Sequence, residues 1–234
     1  ISGKASGVLN KPDFTSKFKK VLDDFSKDKV FGGLVDRLNK EVTNQSIDDQ
    51  ITKLDKTKDS IQNRERFTIN FSETDQEVFL SPLPGEEYLV GVLYASLAMY
   101  AEKNKELWKK VLTFSTQGID SIGLDKMTGK PFHRDNLISI EYKYRLDNKN
   151  LFNHMLATVN YIVAWEVNLE DKAEIKDTYK CSGSVNQVSD GVWEIFDVQS
   201  TVGECYDGKI TVISLKDLIC NTFKTTWTTW KSSN

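Results

Sequence analysis

The chain has 234 residues, of which 39% are hydrophobic and 28% are charged, and its formal net charge is −3. These fractions are typical of a globular protein and exclude a disordered or fibrous chain. The weakly acidic charge argues against nucleic acid as the main partner, because phosphate binding needs a basic face. No apolar run reaches the roughly 18–20 residues of a membrane-spanning helix, so we expect a soluble protein without a transmembrane segment.

Residues 1–12 are small and polar for the most part, and they predict a flexible lead. The chain begins at Ile1, which indicates a processed or trimmed product. If a signal or anchor has been removed, the protein belongs outside the cytoplasm, as a secreted or surface-associated protein. A cytoplasmic location is the alternative that stays open.

The rest of the chain, residues 13–234, is interpreted as a single domain, with a mainly helical part over 13–116. Apolar residues at helical spacing predict one helix over 13–28, a second over 31–42 and a third that begins at Ser46.

A short strand is predicted next, over 67–71, where apolar and polar residues alternate. The segment 81–87 contains two prolines, a glycine and two glutamates, which together favour the start of a helix. That helix is predicted over 86–113. The segment 117–136 contains Gly and Pro and is interpreted as a loop.

The part over 137–231 is predicted to be mainly sheet. Alternating apolar residues predict strands over 138–146, 157–167, 173–188, 192–198 and 209–213. Asp190-Gly191 is a strong signal for a two-residue hairpin. Ser214 with Asp217 resembles a helix cap, and apolar residues at helical spacing then predict a closing helix over 215–230.

The segment Asp190-Gly191-Val192-Trp193-Glu194-Ile195-Phe196-Asp197-Val198 resembles the last hairpin of the NTF2-like α+β cone superfamily. In such domains the helices come first and a curved sheet wraps behind them. The resemblance implies a cone and no particular activity, because this fold carries enzymes, parts of secretion machinery and binding modules. We therefore predict an α+β fold with an N-terminal helical layer, a C-terminal antiparallel meander sheet and a closing C-terminal helix.

Three cysteines are present, and an odd number does not form a complete disulfide framework. Cys181 and Cys205 both lie in small, polar, turn-like settings at the ends of segments that are expected to pair. They are the candidates for one disulfide bond. The alternative is three buried thiols in a reducing compartment.

Candidate catalytic residues are few. His133 lies in a polar loop beside Arg134 and Asp135, and an exposed loop histidine is the structural alternative. Glu166 and Asp197 lie within predicted strands, where a curved sheet would turn them into a pocket or towards solvent. With two histidines and no paired Cys or His spacing, the sequence predicts no metal and no cofactor.

Candidate contact residues lie on two helical patterns. Ile47, Ile51 and Leu54 form a thin apolar stripe that is typical of a peripheral helix or of a helix with a protein partner. Trp227 and Trp230 lie three apart near the C-terminus, where they would seal a helix onto the sheet or contact a partner. Few basic residues surround them, which argues against a peripheral membrane contact.

Function is predicted mainly from the absence of catalytic motifs. We expect a non-catalytic binding or assembly module that acts through protein–protein contacts. The alternative is a small-pocket, hydrolase-like enzyme that uses His133 or the sheet carboxylates Glu166 and Asp197. A nucleic-acid binder that uses the lysines of the first predicted helix is a third alternative, which the interleaved aspartates disfavour.

Overall fold

The computed structural model describes residues 19–20, 29–115, 118–125, 132–200, 205–206 and 208–228. Within these ranges the side chains of residues 29–39, 42, 43, 200, 205 and 206 lie outside the description. The chain divides into two compact units, one of residues 1–63 with 232–234 and the other of residues 64–231. This division falls inside residues 13–234, for which the sequence predicts a single domain.

Among its described residues, the first unit contains the long continuous helix α1, Lys29–Gln62. The two helices predicted over 31–42 and from Ser46 are therefore a single helix, since Thr43-Asn44-Gln45 between them includes no proline or glycine. Every side chain described from Asn44 to Asn63 is exposed. No helix of the described ranges is both long and apolar enough to cross a membrane.

The predicted helix over 13–28 lies outside the described residues except for Lys19 and Lys20, which are helical.

The second unit begins at Arg64 and contains two helices and twelve strands in its described residues. In chain order these are β1 Arg66–Asn70, β2 Gln76–Leu80, α2 Glu87–Leu97, β3 Lys110–Phe114, β4 Ser121–Leu124, β5 Leu137–Asp147, β6 Tyr161–Asn168, β7 Glu174–Lys176, β8 Cys181–Ser189, β9 Val192–Ser200, β10 Cys205–Tyr206, β11 Ile210–Ser214, α3 Leu215–Thr222 and β12 Lys224–Thr228. Short 3-10 turns lie at Arg134–Asn136 and Leu156–Thr158.

The strands form two sheets. The small sheet has the order β12-β1-β2 and is antiparallel, and the large sheet has the order β3-β4-β5-β6-β11-β9-β8-β7, with β10 also paired to β9. The predicted α+β class is confirmed. The predicted antiparallel meander is wrong at the centre of the large sheet, because β6 is parallel to both β5 and β11. The meander holds for β7, β8 and β9, which follow one another in antiparallel pairs.

Strand β6 lies at the centre because both of its faces are apolar. Tyr161, Val163 and Trp165 point into one core with α2, α3 and the small sheet. Ile162 and Ala164 point into a second core on the other face. All five residues are buried, which explains the nearly continuous apolar run in this strand.

The helix predicted over 86–113 is too long, because α2 ends at Leu97. The Tyr94 hydroxyl donates to the Leu107 carbonyl at 2.7 Å and accepts from the Lys109 amide at 2.6 Å, which holds the following segment beside the helix. The chain then enters β3. Strand β4 lies within 117–136, so the prediction of a loop is wrong over that strand.

The closing helix is also shorter than predicted. Ser214 caps α3 as expected, since its hydroxyl accepts from the Asp217 amide at 3.3 Å. The helix ends at Thr222, and Trp227 lies in β12 opposite Phe67 of β1 rather than on a helix. β-branched threonines dominate β12, and they favour a strand wherever a sheet edge is available.

Candidate functional site

The three predicted catalytic residues lie on separate elements. The His133 side chain is 57% exposed, and its Nδ1 lies 3.3 Å from Oδ2 of Asp135 in the same loop. Glu166 is half-buried in β6, opposite Arg145 of β5. Asp197 is exposed and has a φ of 51°, at an irregularity in the pairing of β8 with β9. No hydrogen bond or ion pair within the described ranges joins any two of the three.

A buried polar cluster lies on β5 and was not predicted. Glu141 is completely buried, and its Oε1 lies 2.8 Å from Lys143 Nζ and 2.9 Å from His154 Nε2. Lys143 Nζ also lies 3.4 Å from Oε2 of Glu87 in the first turn of α2. The backbone amide of Asp120 donates to the other Glu141 oxygen at 3.4 Å.

The chemistry of this cluster is that of a structural ion pair. Burial raises the pKa of Glu141, and the opposite charges of Lys143 and His154 act against that rise. The adjacent cavity has a volume of about 70 Å³ and is lined by Lys143, Arg145 and Phe152 among others. This volume is well below the range of about 300–1,000 Å³ that is usual for small-molecule sites. The cluster therefore ties the loop that carries His154 to β5.

The sequence contains only an indirect signal for this cluster. Ile140, Tyr142 and Tyr144 alternate along β5, and alternation assigns Glu141 and Lys143 to the opposite, polar face. In the fold, the second core covers that face of the sheet. Charges become buried there because the sheet is packed on both sides.

The predicted contact residues of α1 are exposed. The exposed fractions are 49% for Ile47, 52% for Ile51, 53% for Leu54 and 38% for Ile61. Their spacing places all four on one side of the helix. We call this set the α1 apolar face.

Trp227 packs against the core, which is one of the two predicted alternatives, but it does so from a strand and not from a helix. Its ring lies 4.8 Å from that of Phe67 and 5.7 Å from that of Trp165, measured between centroids. Lys216 Nζ lies 5.1 Å from the ring centroid on the remaining side. Trp227 is therefore half-buried and closes the core between the two sheets. Trp230 lies outside the described residues.

The predicted disulfide candidates lie on strands that flank β9. Cys181 in β8 is buried and pairs with Ser200, whereas the backbone of Cys205 in β10 pairs with Gln199. No disulfide bond is present among the described residues, and the side chain of Cys205 lies outside them. The pairing stays a prediction, which a thiol count on the unreduced protein checks.

A large open groove was also not predicted. It has a volume of about 920 Å³ and lies between the β1–β2 turn, the segment that follows α2 and the junction of α3 with β12. Phe71, Tyr100 and Phe223 contribute aromatic rings to it, and charged side chains surround them. We call it the aromatic groove.

No group of three or more His, Cys, Asp or Glu side chains in the described ranges is arranged to hold a metal ion. No protein-family model matches the chain, and no curated protein or solved structure is significantly similar to it. The NTF2-like resemblance therefore rests on one hairpin alone. What the structure shows of the fold is its α+β class.

Proposed function

We propose that this protein is a non-catalytic binding or assembly module that acts through protein–protein contacts, with the α1 apolar face as its contact surface. The observation that carries the proposal is the exposure of Ile47, Ile51 and Leu54 on one side of a 34-residue helix. Most helices in water depend on packing of their apolar face, because intrinsic helix propensity contributes little. A protein partner would supply that packing.

The spacing of the apolar face fits a second helix as partner. Ile47, Ile51, Leu54 and Ile61 occupy the inward positions of a heptad pattern, and Lys58 occupies the remaining inward position between them. Lys58 Nζ lies 3.6 Å from Oδ1 of Asp55.

The charged residues beside the α1 apolar face indicate a second property of the partner helix. Asp48 and Asp55 lie along one flank of the face, whereas the other flank carries Gln50 and Thr57. A partner helix with basic flanking residues would complement this arrangement.

A pair of double variants tests the proposal. Ile51→Ser with Leu54→Ser removes the centre of the face, and Lys53→Ser with Lys56→Ser changes the opposite side of the same helix segment. Both pairs introduce serine at exposed positions, so they alter helix propensity similarly. Cross-linking followed by mass spectrometry would identify the bound proteins, and circular dichroism would verify the helix content.

We expect the Ile51/Leu54 variant to lose its partners and the Lys53/Lys56 variant to keep them. Retention of every partner by the Ile51/Leu54 variant would remove α1 as the contact surface.

A small-pocket enzyme that uses His133, Glu166 or Asp197 has less support, because these residues lie on separate elements and His133 and Asp197 are exposed. The extracytoplasmic location stays a prediction.

A further inference from the structure

The floor of the aromatic groove is a packed set of rings. Phe71 lies 4.6 Å from Tyr100, tilted by 39°, and meets Phe223 edge-on at 5.7 Å, measured between ring centroids. Trp108 supports Phe223 from behind at 5.9 Å. Half of the Tyr100 surface remains exposed. The groove therefore presents a supported aromatic surface to solvent, and this surface does not depend on α1.

The rim of the groove is polar and carries both signs of charge. Glu73 and Glu102 contribute carboxylates, and Lys103, Lys105 and Lys224 contribute ammonium groups. The carboxylates disfavour a phosphate or another strongly anionic ligand, and the lysines disfavour a cation. A neutral ligand meets neither repulsion.

The volume of the aromatic groove indicates the size of ligand that it could hold. At about 920 Å³ the groove is near the upper end of the range for small-molecule sites, which is about 300–1,000 Å³. Most such sites are lined mainly by apolar side chains. This groove combines its aromatic floor with amides, hydroxyls and charged groups, including Asn70, Gln76 and Thr222.

From these features we propose that the aromatic groove binds a neutral oligosaccharide. A sugar ring presents C–H groups on its face, which carry a small positive charge and match the negative face of an aromatic ring. Its hydroxyl groups lie around the edge of the ring, where they both donate and accept hydrogen bonds. Carboxylates accept from them, ammonium groups donate to them, and amides do both. Tyr100 is the stacking ring, and Glu73 and Glu102 are the acceptors on the rim.

The experiment uses the full chain, labelled with a fluorophore, on a printed array of neutral oligosaccharides, sulfated oligosaccharides and unstructured peptides. Each bound probe is then titrated in solution by calorimetry. We expect at least one neutral oligosaccharide to bind, and Tyr100→Ala to weaken its binding by about tenfold. Tyr100→Phe keeps the ring and should retain binding.

Two further variants separate ligand binding from folding. Tyr88→Ala removes a tyrosine that is 68% exposed on α2 and does not line the groove, so it should bind like the wild type. Glu102→Ala changes an exposed rim residue and should weaken binding several-fold without altering the melting temperature.

The proposal is overturned if the array retains no neutral oligosaccharide. It is equally overturned if the groove variants bind like the wild type, or if only sulfated sugars or peptides bind in a manner that depends on Tyr100.

Discussion

His154 Nε2 lies 2.9 Å from Oε1 of Glu141, a carboxyl group with no exposure to solvent. The same oxygen also accepts a hydrogen bond from Lys143 Nζ at 2.8 Å. A buried charge is tolerated only when it is paired, and removal of one partner leaves the others in an unfavourable environment. The interaction joins β5 to the loop that leads into β6, so these three side chains hold that loop against the strand.

The first prediction concerns the pH dependence of stability. Burial raises the pKa of Glu141 above the ordinary value of 4.5, with Asp120 adding to the rise and Lys143 and His154 opposing it. A carboxyl with a raised folded-state pKa contributes stability that is fully present below its unfolded-state pKa. That stability is lost as pH rises through the folded-state pKa.

We therefore expect the free energy of unfolding of the wild type, relative to Glu141→Gln, to fall as pH is raised above 4.5, the ordinary pKa of this carboxyl. Urea unfolding at a series of pH values measures this difference. Glu170→Gln, which changes an exposed glutamate, is the control and should show no such trend. A relative stability that rises with pH would mean that Lys143 and His154 outweigh burial.

The second prediction concerns Gly191, which has a φ of 74°, and Gly85, which has a φ of 88°. A Cβ at Gly191 would lie 2.8 Å from the Asp217 Cβ in α3, whereas a Cβ at Gly85 would meet nothing within 4 Å. Gly85→Ala should cost about 1 kcal/mol through the left-handed backbone alone. Gly191→Ala should cost about 2–4 kcal/mol, since the overlap with α3 adds to the backbone strain.

Chemical denaturation of both glycine variants measures the difference between them. Equal losses would show that Asp217 moves aside without cost and that the contact between the hairpin and α3 is loose.

The third prediction separates packing from partner binding at Trp227. Its ring contacts Phe67 and Trp165 in the core, so Trp227→Ala should lower the free energy of unfolding by about 2–3 kcal/mol. Tyr88→Ala, at an exposed position, should change it by less than about 0.5 kcal/mol. If Trp227→Ala left the stability unchanged, the side chain would have no packing role, and a role in partner binding would become the better interpretation.

The fourth prediction concerns the buried tyrosines. Burial raises the pKa of Tyr142 to about 12, and it also raises those of Tyr94 and Tyr161 above the ordinary value of 10. Because their folded-state pKa values are raised, these groups contribute stability that is lost as pH rises above about 10. An ultraviolet absorbance titration should show some of the eight tyrosines ionising only together with unfolding. Ionisation of all eight in a single early step, before unfolding, would contradict the burial.

The correctly predicted elements are those whose structure depends on residues that lie close together in the sequence. The Asp190-Gly191 hairpin, the Ser214 cap and strand β5 all follow from short stretches of sequence. Strand β12 could not be predicted in this way. Phe223 and Trp227 are spaced four apart, as on a helix, and the available edge of β1 decides in favour of a strand.

The candidate sites also differ in this respect: some follow from residues that are close in the sequence, and others are assembled only by the fold. The spacing of Ile47, Ile51 and Leu54 was enough to place them on one side of a helix, and their exposure agrees with the thin stripe. The aromatic groove brings together Phe71, Tyr100 and Phe223 from distant parts of the chain. No local pattern contains that arrangement. Similarly, residues from other layers of the fold bury Glu141, and the alternating pattern of β5 contains no information about those layers.

The pairing of β1 with β12 joins residues 66–70 to residues 224–228, the first and last strands among the described residues of the second unit. During synthesis on a ribosome, β1 would therefore emerge long before its partner. Until β12 follows, one edge of β1 has open hydrogen-bonding groups, and Phe67 lacks the Trp227 ring that covers it. The nascent chain thus has a prolonged period in which an apolar strand edge is available to chaperones or to other copies of the chain.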